Sequence, residues 1–336
     1  MLYVNGEPLS DISLTEVLGL ACIQQATSSF LQQLEGSSST STVPDNSGPY
    51  LCVMQGEEAS VDVEQLPGLM IGSQDATTCM VAILSCPATE RVWCAHLDQE
   101  LLGQTDIALL LHSLASMQQP QLYLAGAYCD AKGRGPKTAQ AFLQLLHSLQ
   151  PAIHLQLACV AAANTAPDGS PYCCCLVLET ASQTPHPWVF VNRGPEVPRR
   201  LAAQHCRWHS DQVLINVWCP QQHVLALPAF DPTVLDSWHV MQYERLLLLP
   251  EQQFLQLMST SPDHEPVWFV QDMRAMLQFL IAAQEPHSQE RHAASSAAHY
   301  TWCSSSHSWK SLQQREAAEG AAEGAAAVPV LEEAAL

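Results

Sequence analysis

Between residues 50 and 96 the chain alternates short apolar runs with turns, at 50–55, 69–72, 79–84 and 91–96. Runs this short, bounded by turn-forming residues, are of strand length and too brief for helices. Met80-Val81-Ala82-Ile83-Leu84 is apolar at every position and reads as a buried strand. Further strands are expected at 2–7, 121–125, 153–161, 172–178, 187–192, 213–218 and 223–227, the first ending at the turn signal Asn5-Gly6. Helical spacing appears at 107–117, 137–149, 246–257 and 267–283. In the last of these Phe269, Met273, Met276, Leu277 and Leu280 share one face, and Pro266 suits a first turn. Ser13-Leu14-Thr15-Glu16 has capping-box form and opens an amphipathic helix expected to run to Leu34. Many strands with few helices predict an α/β (α+β) fold, a layered sandwich with a largely antiparallel β core and outer helices.

One domain is expected over 1–284, interrupted by a flexible Ser-rich loop at 36–49. Beyond it, 285–336 falls into His, Ser, Ala and Glu with an Ala-Ala-Glu-Gly repeat, and reads as a low-complexity, disordered tail. Hydrophobic residues at 47% supply a core for the rest. The net charge of −20, with 13 Lys and Arg, argues against nucleic acid and against anionic membrane surfaces, which both demand basic patches. It suits a substrate that presents a positive α-amino group. The start Met1-Leu2-Tyr3-Val4-Asn5-Gly6 lacks the features of a signal peptide, and no run of about 18 apolar residues could span a membrane. Thirteen Cys is an odd count without framework spacing, so the thiols are expected to be free in a reducing compartment. The expectation is a cytoplasmic protein, with the nucleus left open.

Gly72-Ser73-Gln74-Asp75-Ala76-Thr77-Thr78-Cys79 delivers a thiol from a polar turn to the start of a buried strand. Val92-Trp93-Cys94-Ala95-His96 then offers an imidazole at strand–turn–strand distance. A thiol beside an imidazole is the minimum for acyl transfer, since the base removes the proton that blocks attack on a carbonyl carbon. Backbone N–H groups at Thr78-Cys79 are the simplest oxyanion donors. Two other features point elsewhere and are set aside. Cys173-Cys174-Cys175 in a strand would send neighbouring side chains to opposite faces, so no metal site is expected. Gly133-Arg134-Gly135-Pro136 lacks the Gly-Lys-Ser/Thr ending of a phosphate loop and reads as a turn before a helix.

The segments GSQDATTC and CAHLD, with Met258-Ser259-Thr260-Ser261-Pro262-Asp263-His264-Glu265-Pro266, resemble the protein N-terminal asparagine amidohydrolase family. Tyr123-Leu124-Ala125-Gly126-Ala127-Tyr128, Arg193-Gly194-Pro195-Glu196 and the opening Leu2-Tyr3-Val4-Asn5-Gly6 fit the same pattern. Met80 after the cysteine and Gln74 before it depart from that pattern, and Leu97 offsets Asp98 from His96. The family in turn resembles the chemotaxis-receptor glutamine deamidases, which share a Cys-then-His order and a layered sandwich. The resemblance implies cofactor-free deamidation of N-terminal Asn to Asp on proteins and peptides, through a thioester on Cys79, upstream of arginylation in N-degron proteolysis. His96 would be the acid–base, and Ser73 matches a hydroxyl that orients it. Asp75 and Asp98 stay open for that orienting role. Glu265, Asp75 and Thr78 are the candidate substrate-binding residues, Glu265 as the partner of the α-ammonium group or as an orienter of His96. A glutamine side-chain deamidase, or a non-catalytic module that binds N-termini on the same fold, remain alternatives. The number of copies in the working protein is not set by the sequence.

Overall fold

The turn Asn5-Gly6 joins β1 (Leu2–Val4) to β2 (Glu7–Pro8), and both turn residues have positive φ, +50° and +80°. That is the conformation of a two-residue hairpin turn, and Asn-Gly adopts it most readily. The computed structural model describes residues 1–9, 13–35, 41–42, 48–98, 108–149, 151–208 and 214–312. After the hairpin come α1 (Leu14–Gly19) and α2 (Ala21–Glu35) in place of one continuous helix. The break lies at Leu20, which is extended, directly after Gly19. Ser13 makes no side-chain cap; Gln140 Oε1 accepts from Leu14 N at 2.8 Å instead.

Then follow β3 (Ser41–Thr42), β4 (Tyr50–Cys52), β5 (Glu57–Asp62), β6 (Met70–Ser73), β7 (Met80–Cys86) and β8 (Arg91–Leu97). Of the Ser-rich stretch, 36–40 and 43–47 lie outside the described residues, whereas Ser41–Thr42 pairs with β13 below. The middle of the chain alternates α3 (Ala108–Ala115), β9 (Gln121–Tyr128), α4 (Arg134–Ser148) and β10 (Ile153–Ala161). The short strands β11 (Leu176–Glu179), β12 (Thr184–His186) and β13 (Trp188–Val189) precede α5 (Val197–Trp208). Next come β14 (Ile215–Asn216), β15 (Trp218–Cys219), β16 (Val224–Leu227), α6 (Ser237–Leu247), α7 (Glu251–Met258) and α8 (Phe269–Ala282). The helix expected at 246–257 is thus two, because Pro250 stands where a continuous helix would need its N–H.

β7 lies in the middle of an eight-stranded sheet ordered β14-β5-β8-β7-β9-β10-β1-β2. Its pairs with β8 and β9 are antiparallel, while β9–β10 and β10–β1 are parallel crossovers through α4 and around the N-terminus. Alternate residues of β7 feed two separate cores. Met80, Ala82, Leu84 and Cys86 pack with Phe142, Leu143 and Leu146 of α4. Val81 and Ile83 pack with Leu51, Ile71 and Leu176 of a second sheet ordered β12-β11-β6-β4. Burial on both faces is the reason this strand reads as an unbroken apolar run. The layering is mixed α/β, with helices outside and sheets within.

β5 was not legible, since its start, Glu57-Glu58, is acidic yet buried. Glu58 accepts from Trp93 Nε1 at 2.9 Å, and Glu57 is ion-paired with Arg200 of α5. The expected disordered tail from 285 is also revised. Residues 289–295 form α9 (Gln289–Ser295), followed by β17 (Ala298–Cys303) and β18 (Ser308–Ser311). β17 pairs with β16 in a sheet ordered β15-β16-β17-β18. Ala294 and Tyr300 join the core, Trp302 packs on Tyr50 and Trp309 on Trp218, and polar contacts add to this: Arg199 Nη2 donates to Ser296 O and Trp309 Nε1 to Tyr50 O. Residues 313–336 lie outside the described residues. Cys173–Cys175 precede β11 and are not in a strand, with the sulfurs of Cys173 and Cys175 3.7 Å apart.

Candidate active site

β6 ends at Ser73 and β7 begins at Met80, so residues 74–79 carry the chain from the second sheet to the central one. Backbone bonds fix this crossing. Ala76 N donates to Cys174 O at 2.9 Å, Tyr128 N to Thr77 O at 3.1 Å, and Ala127 N to Cys79 O at 2.6 Å. Gly126 makes the approach of β9 possible: it has φ +99°, and a Cβ there would lie 2.7 Å from both Ala76 O and Cys79 O. Its place in Tyr123–Tyr128 is therefore a packing requirement of the cysteine turn.

His96 on β8 pairs directly with Val81 on β7. The same register sets it diagonally across from Cys79, two positions earlier on β7's side of the ladder. Ser73 Oγ lies 2.8 Å from His96 Nδ1, so the orienting hydrogen bond is made by Ser73. Asp75, another of the candidates, turns instead to Trp268, whose Nε1–H it accepts at 3.0 Å. Among the described residues, His96 Nε2 is buried with no hydrogen-bond partner. Burial pushes the His96 pKa down to about 3, so the imidazole is neutral at physiological pH. Burial likewise raises the half-buried Cys79 thiol well above its usual range, and the Asp98 and Glu265 carboxylates add to that. The resting couple is a neutral thiol and a neutral imidazole.

The opposite wall comes from residues 259–269, nearly two hundred positions away. Thr77 Oγ1 meets Ser261 Oγ at 2.7 Å and Thr78 Oγ1 meets Thr260 Oγ1 at 3.0 Å. Ser259 and Ser261 hydroxyls both donate to Glu265 Oε1, at 2.5 and 3.3 Å. The ATTC and STSPDHEP segments are thus fastened hydroxyl to hydroxyl, and that fastening holds Glu265 at the edge of the cysteine turn. Burial raises the Glu265 pKa, and its serine donors oppose the shift. Asp75 is raised by the same cause, with the Trp268 bond and Arg193 opposing. Arg193 itself is paired with Asp272 at 2.5 Å and stands 4.0 Å from Asp75.

These groups surround one cleft of about 430 Å³. Ser73, Asp75, Thr78, Cys79, His96 and Glu265 all line it, so the six residues singled out in the sequence share one site. Asp98 lines it too, accepting from Gln55 Nε2 at 3.4 Å. A model of the family described as protein N-terminal asparagine amidohydrolase matches residues 39–311. The chain belongs to that family. Human and pig proteins named protein N-terminal asparagine amidohydrolase are each 24% identical to it, over 65% and 70% of this chain and 70% and 76% of their own lengths. A mouse protein of the same name is 24% identical over 229 residues.

As a member of an amidohydrolase family the chain is an enzyme, and its cleft contains residues beyond those six. Trp268, Asp272 and Arg193 form a wall with Asp75, and the Arg193 guanidinium lies 5.9 Å above the Trp268 ring. Beneath them Arg200 donates to Cys52 O and Arg193 O, each at 2.7 Å, while Glu57 Oε1 accepts from its Nε at 2.8 Å. The quoted Arg193-Gly194-Pro195-Glu196 segment carried the signal for Arg193. Nothing in the sequence paired Glu57 with Arg200. Among the described residues no cluster of three or more His, Cys, Asp or Glu is arranged to hold a metal ion, and no helix is long and apolar enough to cross a membrane.

Proposed function

We propose that this amidohydrolase converts N-terminal Asn to Asp on proteins and peptides, with Cys79 as nucleophile. The observation that carries the reading is the half-buried Cys79 sharing a cleft with a neutral His96, whose Nδ1 is held by Ser73 and whose Nε2 has no partner. A base poised in this way can take a proton only from something that enters the cleft or from the thiol itself. Cys79 Sγ attacks the side-chain carboxamide carbon as its proton passes to His96 Nε2. The carbon–nitrogen bond then breaks, His96 returns the proton to the departing nitrogen, and ammonia leaves a thioester. Water attacks that thioester, giving its proton to His96, and the carbon–sulfur bond breaks to release Asp and restore the thiol. Thr78 and Cys79 N–H groups are the backbone donors for the oxyanion.

Glu265 and Asp75 give the cleft carboxylates that suit an α-ammonium group. Internal Asn lacks that group and would forgo a charge-assisted hydrogen bond to these carboxylates. A methylene more, in Gln, is rejected by roughly 10–200-fold from pocket shape alone. The family resemblance extends the proposal to a step upstream of arginylation in N-degron proteolysis. Ammonia release from peptides beginning Asn-Gly-Ser or Gln-Gly-Ser, with an N-acetylated Asn control, tests it on parent and Cys79→Ala protein. Release from the free Asn peptide alone, lost in Cys79→Ala, is the expected result. Folded parent protein that releases none from any peptide would overturn the reading.

A further inference from the structure

Among the described residues of the cleft wall, three side-chain nitrogens are buried with no protein acceptor: His96 Nε2, Arg134 Nη1 and Gln204 Nε2. His96 is the base. Gln204 Nε2 occupies the space that a Cβ at Gly56 would take, 2.4 Å away. Arg134 belongs to the Gly133-Arg134-Gly135-Pro136 turn that the sequence left without a function.

Its position follows from backbone contacts. Arg134 opens α4, and Gly135 beside it packs directly on β9, where a Cβ would fall 2.1 Å from Tyr128 O. One residue back along β9, Ala127 N holds Cys79 O at 2.6 Å. Asp130 fixes the turn by accepting from Lys132 N and Gly135 N, each at 2.9 Å. Two backbone contacts therefore connect Arg134 to the nucleophile, and the guanidinium charge opposes the rise of the Cys79 thiol. The other guanidinium in the wall, Arg193, is already taken up by Asp272. A buried N–H without an acceptor costs free energy that an entering oxygen would recover.

We propose that Arg134 is a catalytic residue whose Nη1–H donates to the side-chain carboxamide oxygen of the substrate as that oxygen becomes an oxyanion. This rests on the amidohydrolase reading given above. When Cys79 Sγ bonds to the carbon, the carbonyl π pair moves onto oxygen. The charge returns to the carbonyl when the carbon–nitrogen bond breaks. The guanidinium holds its own protons throughout, so it stabilises charge while His96 alone carries protons. The backbone donors at Thr78 and Cys79 act on the same oxygen.

The test is steady-state ammonia release from an Asn-Gly-Ser peptide by parent, Arg134→Ala and Arg134→Lys proteins, with thermal melts to show that each is folded. Loss of one oxyanion donor lowers kcat by on the order of 10²–10³. Arg134→Ala is expected to show that fall with KM little changed, and added guanidinium ion should restore part of kcat in this variant but not raise it in the parent. Arg134→Lys, which keeps the charge without the planar fork, should fall between the two. A raised KM with kcat retained would assign Arg134 to the substrate main chain instead and overturn the proposal. Unchanged kinetics in both variants would do the same. A parent protein that releases no ammonia fails the underlying reading, and this proposal falls with it; an active parent with unaffected variants fails this proposal alone.

Discussion

At the scale of single residues the site is an exercise in desolvation. His96 is 1% exposed, which pushes its pKa from 6.5 to about 3. Its folded pKa is therefore depressed, so the unfolded chain binds a proton that the folded chain refuses. The stabilising contribution is complete above about pH 6.5 and is lost as pH falls towards about 3, with a slope of up to about 1.4 kcal/mol per pH unit. Urea unfolding of parent and His96→Asn protein across that window should show the steeper acid loss in the parent. A parent curve no steeper than the variant's would deny that His96 is held neutral. Cys79 leads to a second expectation. With the thiol raised by burial, its alkylation by iodoacetamide should climb steadily with pH and show no acid plateau of the kind a thiolate–imidazolium pair gives. Glu265 is tested by Glu265→Gln. A hydrogen bond to a charged group is worth about 1.5–3 kcal/mol, so kcat/KM on an Asn peptide should drop on the order of 10- to 100-fold.

At the scale of elements, the decisive event is a turn pressed against a strand. Residues 74–79 need β9 within hydrogen-bond distance, and only a residue without Cβ at 126 allows it. Gly126→Ala combines a steric clash with an unfavourable φ of +99°, and the expected cost is roughly 1–3 kcal/mol. The backbone of Cys79 would shift as well, so kcat should fall along with the urea midpoint. A variant with both unchanged would remove Gly126 from this account. The same segment shows how far element-level patterns were readable. Residues 121–125 were recognisable as a strand and Tyr123–Tyr128 as a family match, but the reason for the glycine was not, because the atoms it avoids are about fifty residues earlier. Helices broke where Gly19 and Pro250 sit, although periodicity ran through both. Periodicity reports which face is buried; it does not report whether the backbone continues.

At the scale of the molecule, two long-range connections tie distant parts of the chain together. The buried Arg200–Glu57 pair joins α5 to the central sheet, and Arg200 also binds the carbonyls of Cys52 and Arg193 in the cleft wall. Arg200→Met would leave the Glu57 carboxylate buried and unpaired, at a cost of about 3–5 kcal/mol. Urea unfolding should show that loss; a change under about 1 kcal/mol would mean the carboxylate finds water. The second connection is β17, whose removal with everything after Gln284 would leave β16 an unpaired edge. That truncation is expected to lower the melting temperature and promote aggregation. By itself the sequence determined the strand-rich α/β character, the buried β7, the family and six of the residues that line the cleft, because each is written in local spacing or in a contiguous segment. The tertiary structure alone decided that Ser73 and not Asp75 holds His96, that Thr77 and Thr78 are fastened to residues 260–261, and that Glu57 meets Arg200. It also decided that 289–311 is ordered. Each of these depends on groups finding partners elsewhere in the chain, and a buried polar group is stable only with its partner, which local sequence does not name.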